Sequence, residues 1–377
     1  MPLRVLFLFG TRPEAIKLCP VVLRFRSQAE RFDVRVCVTA QHRAMLDQVL
    51  GAFGVKPDYD LNLMQPGQTL FQSTSRMMAA LEPVFLGVDG WKPEVAMVQG
   101  DTTTTFCGAL GAFYARIPVG HIEAGLRTGD LAQPFPEELN RVLTGRMANL
   151  HFAATAWAAE NLRKEGVADE RIWVTGNTGI DAVLHVKAGL EEGRLQSGMD
   201  WSQLDPAKKL ILVTAHRRES FGAGFERICE ALGELAERRD VEIVYPVHPN
   251  PNVVETVNRT LTGRPNVHLI APLDYVPFID LMRRAYLLIT DSGGVQEEGP
   301  SLGKPILVLR EKTERPEAVA AGTVKLVGTD RAKIVAEANL ILNSAIIRES
   351  MAVVHNPYGD GHASERISAA TLSFFKK

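Results

Sequence analysis

Apolar residues in this chain come in short unbroken runs rather than alternating with polar ones, a pattern that predicts strands covered on both faces. Such runs lie at residues 4–9, 33–39, 95–99, 118–122, 151–154 and 171–174. Each is followed by residues suited to a helix or a turn, so the order predicts a parallel sheet sandwiched between helices. The rhythm breaks at the polar residues 192–208, which include Gly193, Gly198 and Pro206. It resumes with runs at 210–214, 242–246, 267–270, 286–289 and 305–309. The prediction is an α/β protein of two Rossmann-like, doubly wound domains facing across a cleft. Their bounds are 1–190 and 209–360, with a linker at 191–208. The closing residues 361–377 form a helical pattern through Ile367, Leu372 and Phe375.

Length and composition agree with that division. A chain of 377 residues exceeds the size at which one core keeps growing,. The apolar fraction of 46% and charged fraction of 23% are ordinary for a globular protein,. With a formal net charge of -2 and no long basic run, no nucleic-acid or membrane-surface partner is expected,. Cys19, Cys37, Cys107 and Cys229 have neither zinc nor disulfide spacing and are expected as core residues in a reducing, cytoplasmic setting,. The apolar run Val5 to Phe9 is too short for a signal sequence, and no run approaches the roughly 18 residues of a membrane span,.

The chemistry gathers where strands end. Thr290-Asp-Ser-Gly-Gly-Val-Gln-Glu-Glu-Gly299 follows an apolar strand, with a helix expected to begin near Val295. Ser292, Gly293 and Gly294 would let backbone N–H groups approach a diphosphate, and Glu297 or Glu298, one turn on, could accept from a ribose diol. Other strand ends deliver Arg12, Glu14 and Lys17; Asp101 and four threonines; His121 and Glu123; and the loop residues Arg127, Asp130, Glu137, Glu138 and Arg141. The second half adds His216, Arg217, Arg218, Glu219 and His248. Singly, these have plain structural readings: Asp101 as an N-cap, His121 and Glu123 as a solvent-facing polar pair, Arg12 as a helix-start surface group, and His216 as a buried histidine. Ligands of open α/β sheets bind beyond the carboxyl ends of strands, and that rule sends all of them to one crevice. No metal-ligand spacing and no dinucleotide fingerprint is present, so no metal and no cofactor is expected. A diphosphate grip with carboxylates and a histidine suits breaking a glycosyl phosphate bond.

At these residues the chain resembles the non-hydrolysing UDP-N-acetylglucosamine 2-epimerases. The likeness runs through Gly10-Thr-Arg-Pro-Glu-Ala-Ile-Lys17, Gln41-His-Arg43, Pro66-Gly-Gln-Thr69, Gln99-Gly-Asp-Thr-Thr-Thr104, His121-Ile-Glu-Ala-Gly-Leu-Arg127, Pro136-Glu-Glu-Leu-Asn-Arg141, Ala215-His-Arg-Arg-Glu-Ser220, the run from Thr290 to Glu298, and Thr313-Glu-Arg-Pro-Glu317. The resemblance implies a GT-B arrangement whose terminal helix crosses back onto the first domain, a homodimer, and interconversion of UDP-GlcNAc and UDP-ManNAc. That reaction eliminates UDP to 2-acetamidoglucal and adds it back, supplying ManNAc-type sugars for cell-surface polysaccharide. It implies that Asp101, Glu123, Glu137 and His216 are catalytic, with Asp101 and Glu137 moving protons at C2. Arg12, Lys17, Phe278, Ser292, Gly293, Gly294, Glu298 and Arg315 would bind the UDP-sugar. Gln41, His42, Gln68 and Arg217 lie in motifs that some relatives use for an allosteric UDP-GlcNAc.

Three alternatives use the same nucleotide grip. A GT-B glycosyltransferase would pass the sugar to an acceptor, and a hydrolysing epimerase would let water capture C1. A silent nucleotide-sugar sensor would lack one or more of Asp101, Glu123, Glu137 and His216, and all four are present. The exact UDP-sugar is open, since a diacetamido uronic acid would use the same grip.

Overall fold

The computed structural model describes residues 1–40, 43–65, 67–313, 316–352 and 356–376. They form two compact units, Met1–Ala182 with Gly359–Lys377, and Val183–Tyr358.

In the first unit the strands are β1 (Leu3–Phe9), β2 (Phe32–Val38), β3 (Tyr59–Asp60), β4 (Val95–Gln99), β5 (Val119–Ile122), β6 (Leu150–Ala153) and β7 (Ile172–Val174). They pair in parallel in the order β3-β2-β1-β4-β5-β6-β7. Val5 to Phe9 are completely buried, which is why this strand carries no polar alternation,. The order reverses between β1 and β4, and their carboxyl ends therefore flank a switch point,. The second unit repeats the plan with β8 (Lys209–Thr214), β9 (Val241–Pro246), β10 (Val267–Ile270), β11 (Leu287–Thr290), β12 (Ile306–Val308) and β13 (Val324–Leu326). Its order is β10-β9-β8-β11-β12-β13, with the switch point between β8 and β11.

All eleven expected strands are present among the described residues, within two residues at either end. Two further strands, β3 and β13, carry no sequence signal: each is a short edge strand, two and three residues long, paired on one side only,.

The units divide inside the helix Thr178–Glu191, ahead of the expected linker at 191–208. That polar stretch is instead fastened to the second unit. Trp201 is buried and its Nε1 donates to Asp280 at 2.9 Å, while the Asp205 N–H donates to Glu242 at 2.8 Å. The closing helix Ala363–Phe375 belongs to the first unit, where the N–H groups of Ala363 and Ser364 donate to Asp181 at 3.3 and 2.8 Å.

One buried carboxylate fixes the loop after β1. Glu14 accepts from the N–H groups of Gly10 (3.0 Å) and Thr11 (2.7 Å), and from the hydroxyls of Thr102 (2.7 Å) and Thr105 (3.1 Å). It closes a capping box with Thr11 at the start of the helix Arg12–Arg26 and also ties that start to the loop after β4,. A Cβ at Gly10 would collide with the Thr39 and Thr104 hydroxyls, so only glycine fits this seam. Glu14→Ala leaves the Gly10 and Thr11 N–H groups without their acceptor inside this seam and is expected to cost about 3 kcal/mol or more, read from urea unfolding; a loss under about 1 kcal/mol contradicts this role,.

Candidate active site

Beyond β4 and β5 the first unit assembles an acidic cluster. Gly100 takes φ +73° and passes the chain sharply out of β4, so that Asp101 stands clear of the sheet,. The expected N-cap role of Asp101 is not what the structure shows. Thr102 caps the helix Thr103–Tyr114, its hydroxyl accepting from the Thr105 N–H, which leaves the Asp101 side chain for other work. The Asp101 carboxylate instead pairs with Arg141 at 2.9 Å, and its backbone carbonyl accepts from Asn140 at 2.9 Å. Burial pushes the Asp101 carboxyl up to about 6; Glu123 and Glu137 push the same way, while Arg141 and Lys17 oppose,.

Glu123 follows β5 with φ +64°, a left-handed conformation rare for a side chain of this size,. It is no solvent-facing group: one carboxylate oxygen takes Lys17 and the other takes the Gln99 side-chain amide. Glu137, at the start of the helix Glu137–Met147, has no hydrogen-bond partner for its carboxylate among the described residues, yet its charge is felt at Asp101. The neighbouring Glu138 is buried and accepts from the N–H groups of Thr128 and Gly129 at 2.9 and 3.1 Å, which is loop-holding work. Arg12 is half-buried at the first turn of its helix, with no partner among the described residues.

The second unit assembles a different group at β8 and β11. Asp291 is 1% exposed and one of its oxygens accepts from the backbone N–H groups of His216 (2.6 Å) and Arg217 (2.7 Å). Its other oxygen lies 3.7 Å from His216 Nδ1. The His216 ring stacks on His248 with centroids 5.0 Å apart, and burial draws its pKa down against the pull of Asp291. Ser292 is the N-cap residue of the short helix Gly293–Glu298, which starts two residues earlier than expected. A Cβ on Gly294 would meet nothing nearer than Ser292 Oγ at 3.9 Å, so its backbone faces open space where a ligand can approach,. Glu297 is buried, whereas Glu298 is half-buried beside Tyr275, which leaves Glu298 the better placed of the two to meet a ligand. Phe278 is half-buried in the helix Tyr275–Arg284.

The first unit thus brings Lys17, Asp101, Glu123 and Glu137 together, and the second gathers His216, Arg217 and the Ser292 to Gly294 turn. Gln68 stands apart, bonded to Met64 and Arg76. Gln41, His42 and Arg315 lie outside the described residues. Sequence reasoning assigns no role to Gln99, Asn140, Asp291 or the His248 stack. Gln99 and Asp291 sit inside motifs already singled out, so their position beside acidic and glycine residues is the signal that could have found them. Among the described residues, no group of three or more His, Cys, Asp or Glu is placed to hold a metal ion, and no helix is long and apolar enough to cross a membrane.

Two Rossmann-like domains with functional loops at strand carboxyl ends define the GT-B class of fold, and comparison with known proteins narrows it. A family model described as UDP-N-acetylglucosamine 2-epimerase matches residues 26–372. The chain is 55% identical over 372 residues to the UDP-N-acetylglucosamine 2-epimerase of Escherichia coli (strain K12), covering 98% of each. Its identity to the enzyme of that name from Campylobacter jejuni is 49%, covering 97% of this chain and 96% of the other. The crystal structure of UDP-GlcNAc 2-epimerase from Neisseria meningitidis bound to UDP-GlcNAc matches with a TM-score of 0.87 and 46% identity, covering 98% of this chain and 100% of that one. The Methanocaldococcus jannaschii enzyme in complex with UDP-GlcNAc and UDP matches at 0.78 with 33% identity, covering 99% and 100%. The chain belongs to the UDP-N-acetylglucosamine 2-epimerase family.

The raised Asp101 carboxyl carries a stability signature. Folded Asp101 holds its proton more tightly than the unfolded side chain, whose value is about 4, so its contribution is full below pH 4 and is lost as pH rises through about 6,. Asp101→Asn removes that penalty. It is expected to stabilise the protein by roughly 1–3 kcal/mol at pH 8 and by nothing measurable at pH 4, read from urea midpoints. A stabilisation independent of pH contradicts the assignment.

Proposed function

We propose that the protein interconverts UDP-GlcNAc and UDP-ManNAc, the acidic cluster of the first unit handling the sugar and the β8 and β11 loops of the second unit holding UDP. The observation that carries this reading is the pairing of unlike carboxyls: Asp101, poised near 6, beside Glu123, whose two oxygens are already engaged.

The C2 proton of the sugar sits on a carbon with no carbonyl, so direct abstraction at neutral pH is prohibitively slow. Breaking the C1–O bond first changes that. UDP departs with the bonding pair, and positive charge builds at C1 and acidifies C2. A carboxylate takes the C2 proton to leave 2-acetamidoglucal. Readdition reverses the steps: UDP oxygen bonds to C1 while a proton reaches C2 from the opposite face. Two faces need two proton carriers, and Asp101 and Glu137 fill those roles. Glu123, with both oxygens committed to donors, suits electrostatic support of C1 rather than proton carriage. In the second unit, the Ser292 to Gly294 turn offers backbone N–H groups to the diphosphate, with His216 kept mainly neutral as a further donor,. In the first unit, Arg12 and Lys17 serve as phosphate-side cations. Glu298 anchors the ribose and Phe278 lines the uracil.

Within the cell we place the protein in the cytoplasm, supported by four buried unpaired cysteines, and infer a homodimer. Exposed Leu86, Val88, Phe113 and Tyr114 at the ends of two neighbouring helices of the first unit support self-association,. Light scattering at twice the 41.4 kDa chain mass supports the dimer; a monomer at micromolar concentration contradicts it.

Incubation with UDP-GlcNAc in deuterated water, followed at C2 by NMR, tests the activity. Deuterium at C2 with UDP-ManNAc formed is expected; free ManNAc, or epimerisation with the C2 proton retained, contradicts it. Asp101→Asn and Glu137→Gln are each expected to lower kcat by about 10²–10⁴-fold.

A further inference from the structure

We propose that His121 is a positioning residue for Asp101, acting through the Gly100 carbonyl from a site sealed beneath the acidic cluster. This inference rests on the role given to Asp101 above.

His121 is wholly buried near the end of β5, and its Nε2 lies 2.7 Å from the Gly100 carbonyl oxygen. A carbonyl only accepts, so the ring must carry its hydrogen on Nε2. The Gly100 N–H in turn donates to the Ile122 carbonyl at 3.0 Å. Both backbone polar groups of Gly100 are therefore held by β5, in the left-handed conformation that launches Asp101. With Asn140 holding the Asp101 carbonyl, the peptide units on either side of Asp101 are fixed and only its side chain is left to move. The same strand ends at Ile122, directly before Glu123, so one short segment of chain sets the positions of two carboxyls.

The surroundings keep the ring neutral. Its Nδ1 is buried with no partner among the described residues, so protonation would create a donor with no acceptor,. Facing it are His151 on β6, also buried, and the cations Arg127 and Arg141. Burial, helped by His151, Arg127 and Arg141, takes His121 down to about 3, so one tautomer persists across the working pH range,.

The test compares His121→Leu, which removes the donor, with His121→Gln, whose amide reaches towards the same oxygen as Nε2. In the leucine variant kcat per folded molecule is expected to fall about 100-fold with KM changed less than about threefold. The pH dependence of kcat should lose or shift the limb set by Asp101. Glutamine should recover most of the rate. Nitrogen-15 NMR of the wild-type protein should show the His121 ring as a single Nε2–H tautomer from pH 5 to 9. A folded leucine variant with wild-type kcat and pH profile overturns the proposal, as does a glutamine variant as impaired as leucine. Should the leucine variant fail to fold, His121→Asn, too short to reach the carbonyl, takes its place, and equal kcat for asparagine and glutamine is then the overturning result. Wild-type protein run alongside in deuterated water separates the two readings. Absence of deuterium at C2 there removes the epimerase assignment, whereas exchange in wild type beside an unimpaired leucine variant removes only the role of His121.

Discussion

In each unit, a buried carboxylate accepts two successive backbone N–H groups of the loop that leaves the central strand. Glu14 does this for Gly10 and Thr11 beyond β1, and Asp291 for His216 and Arg217 beyond β8. Loops at strand ends carry N–H groups with no ladder partner, and a carboxylate with several donors satisfies them at charge-assisted strength. These bonds aim the residues carried by each loop: the helix bearing Arg12 and Lys17 in one unit, the His216 ring and the Arg217 side chain in the other. Both carboxylates act at the switch points of their sheets, where neighbouring loops diverge and leave room for a ligand,.

The units differ in what that frame presents. The first offers ionisable groups crowded enough to shift one another: Asp101 is lifted to about 6 while Arg141 and Lys17 keep the cluster from excess negative charge. The second offers backbone N–H groups, a hydroxyl and a stacked pair of imidazoles. Proton transfer on a sugar needs groups whose charge changes, and holding a diphosphate needs donors whose charge does not. The proposed division of chemistry follows this division of residues.

Much of this is legible in the sequence, for a physical reason. Central strands buried on both faces are unbroken apolar runs, so β1, β4, β8 and β11 announce themselves, and the loops that carry the site come directly after them. Edge strands β3 and β13 bury little and leave no pattern. The polar stretch misplaces the unit boundary because glycine, proline and polar residues signal a break in regular structure, not a break in packing; Trp201 holds that stretch on the second unit. At the site, residue types mark the acids but not their supports. Nothing in the spacing of His121 and Glu123 reveals that one is sealed and the other is turned into a left-handed conformation, because both arise from the tertiary seam between β4 and β5. Asp101 reads as a cap candidate since Asp before Thr is locally favourable, yet the Thr102 hydroxyl takes the cap.

Breakage of the anomeric C–O bond during epimerisation is the step on which the proposed chemistry stands. Positional isotope exchange measures it directly: UDP-GlcNAc carrying oxygen-18 in the bridge between C1 and the β-phosphorus is turned over many times and the label located by phosphorus NMR. Scrambling of the label into the non-bridging β-phosphate positions is the predicted result. Retention of all the label in the bridge while UDP-ManNAc accumulates would contradict the mechanism.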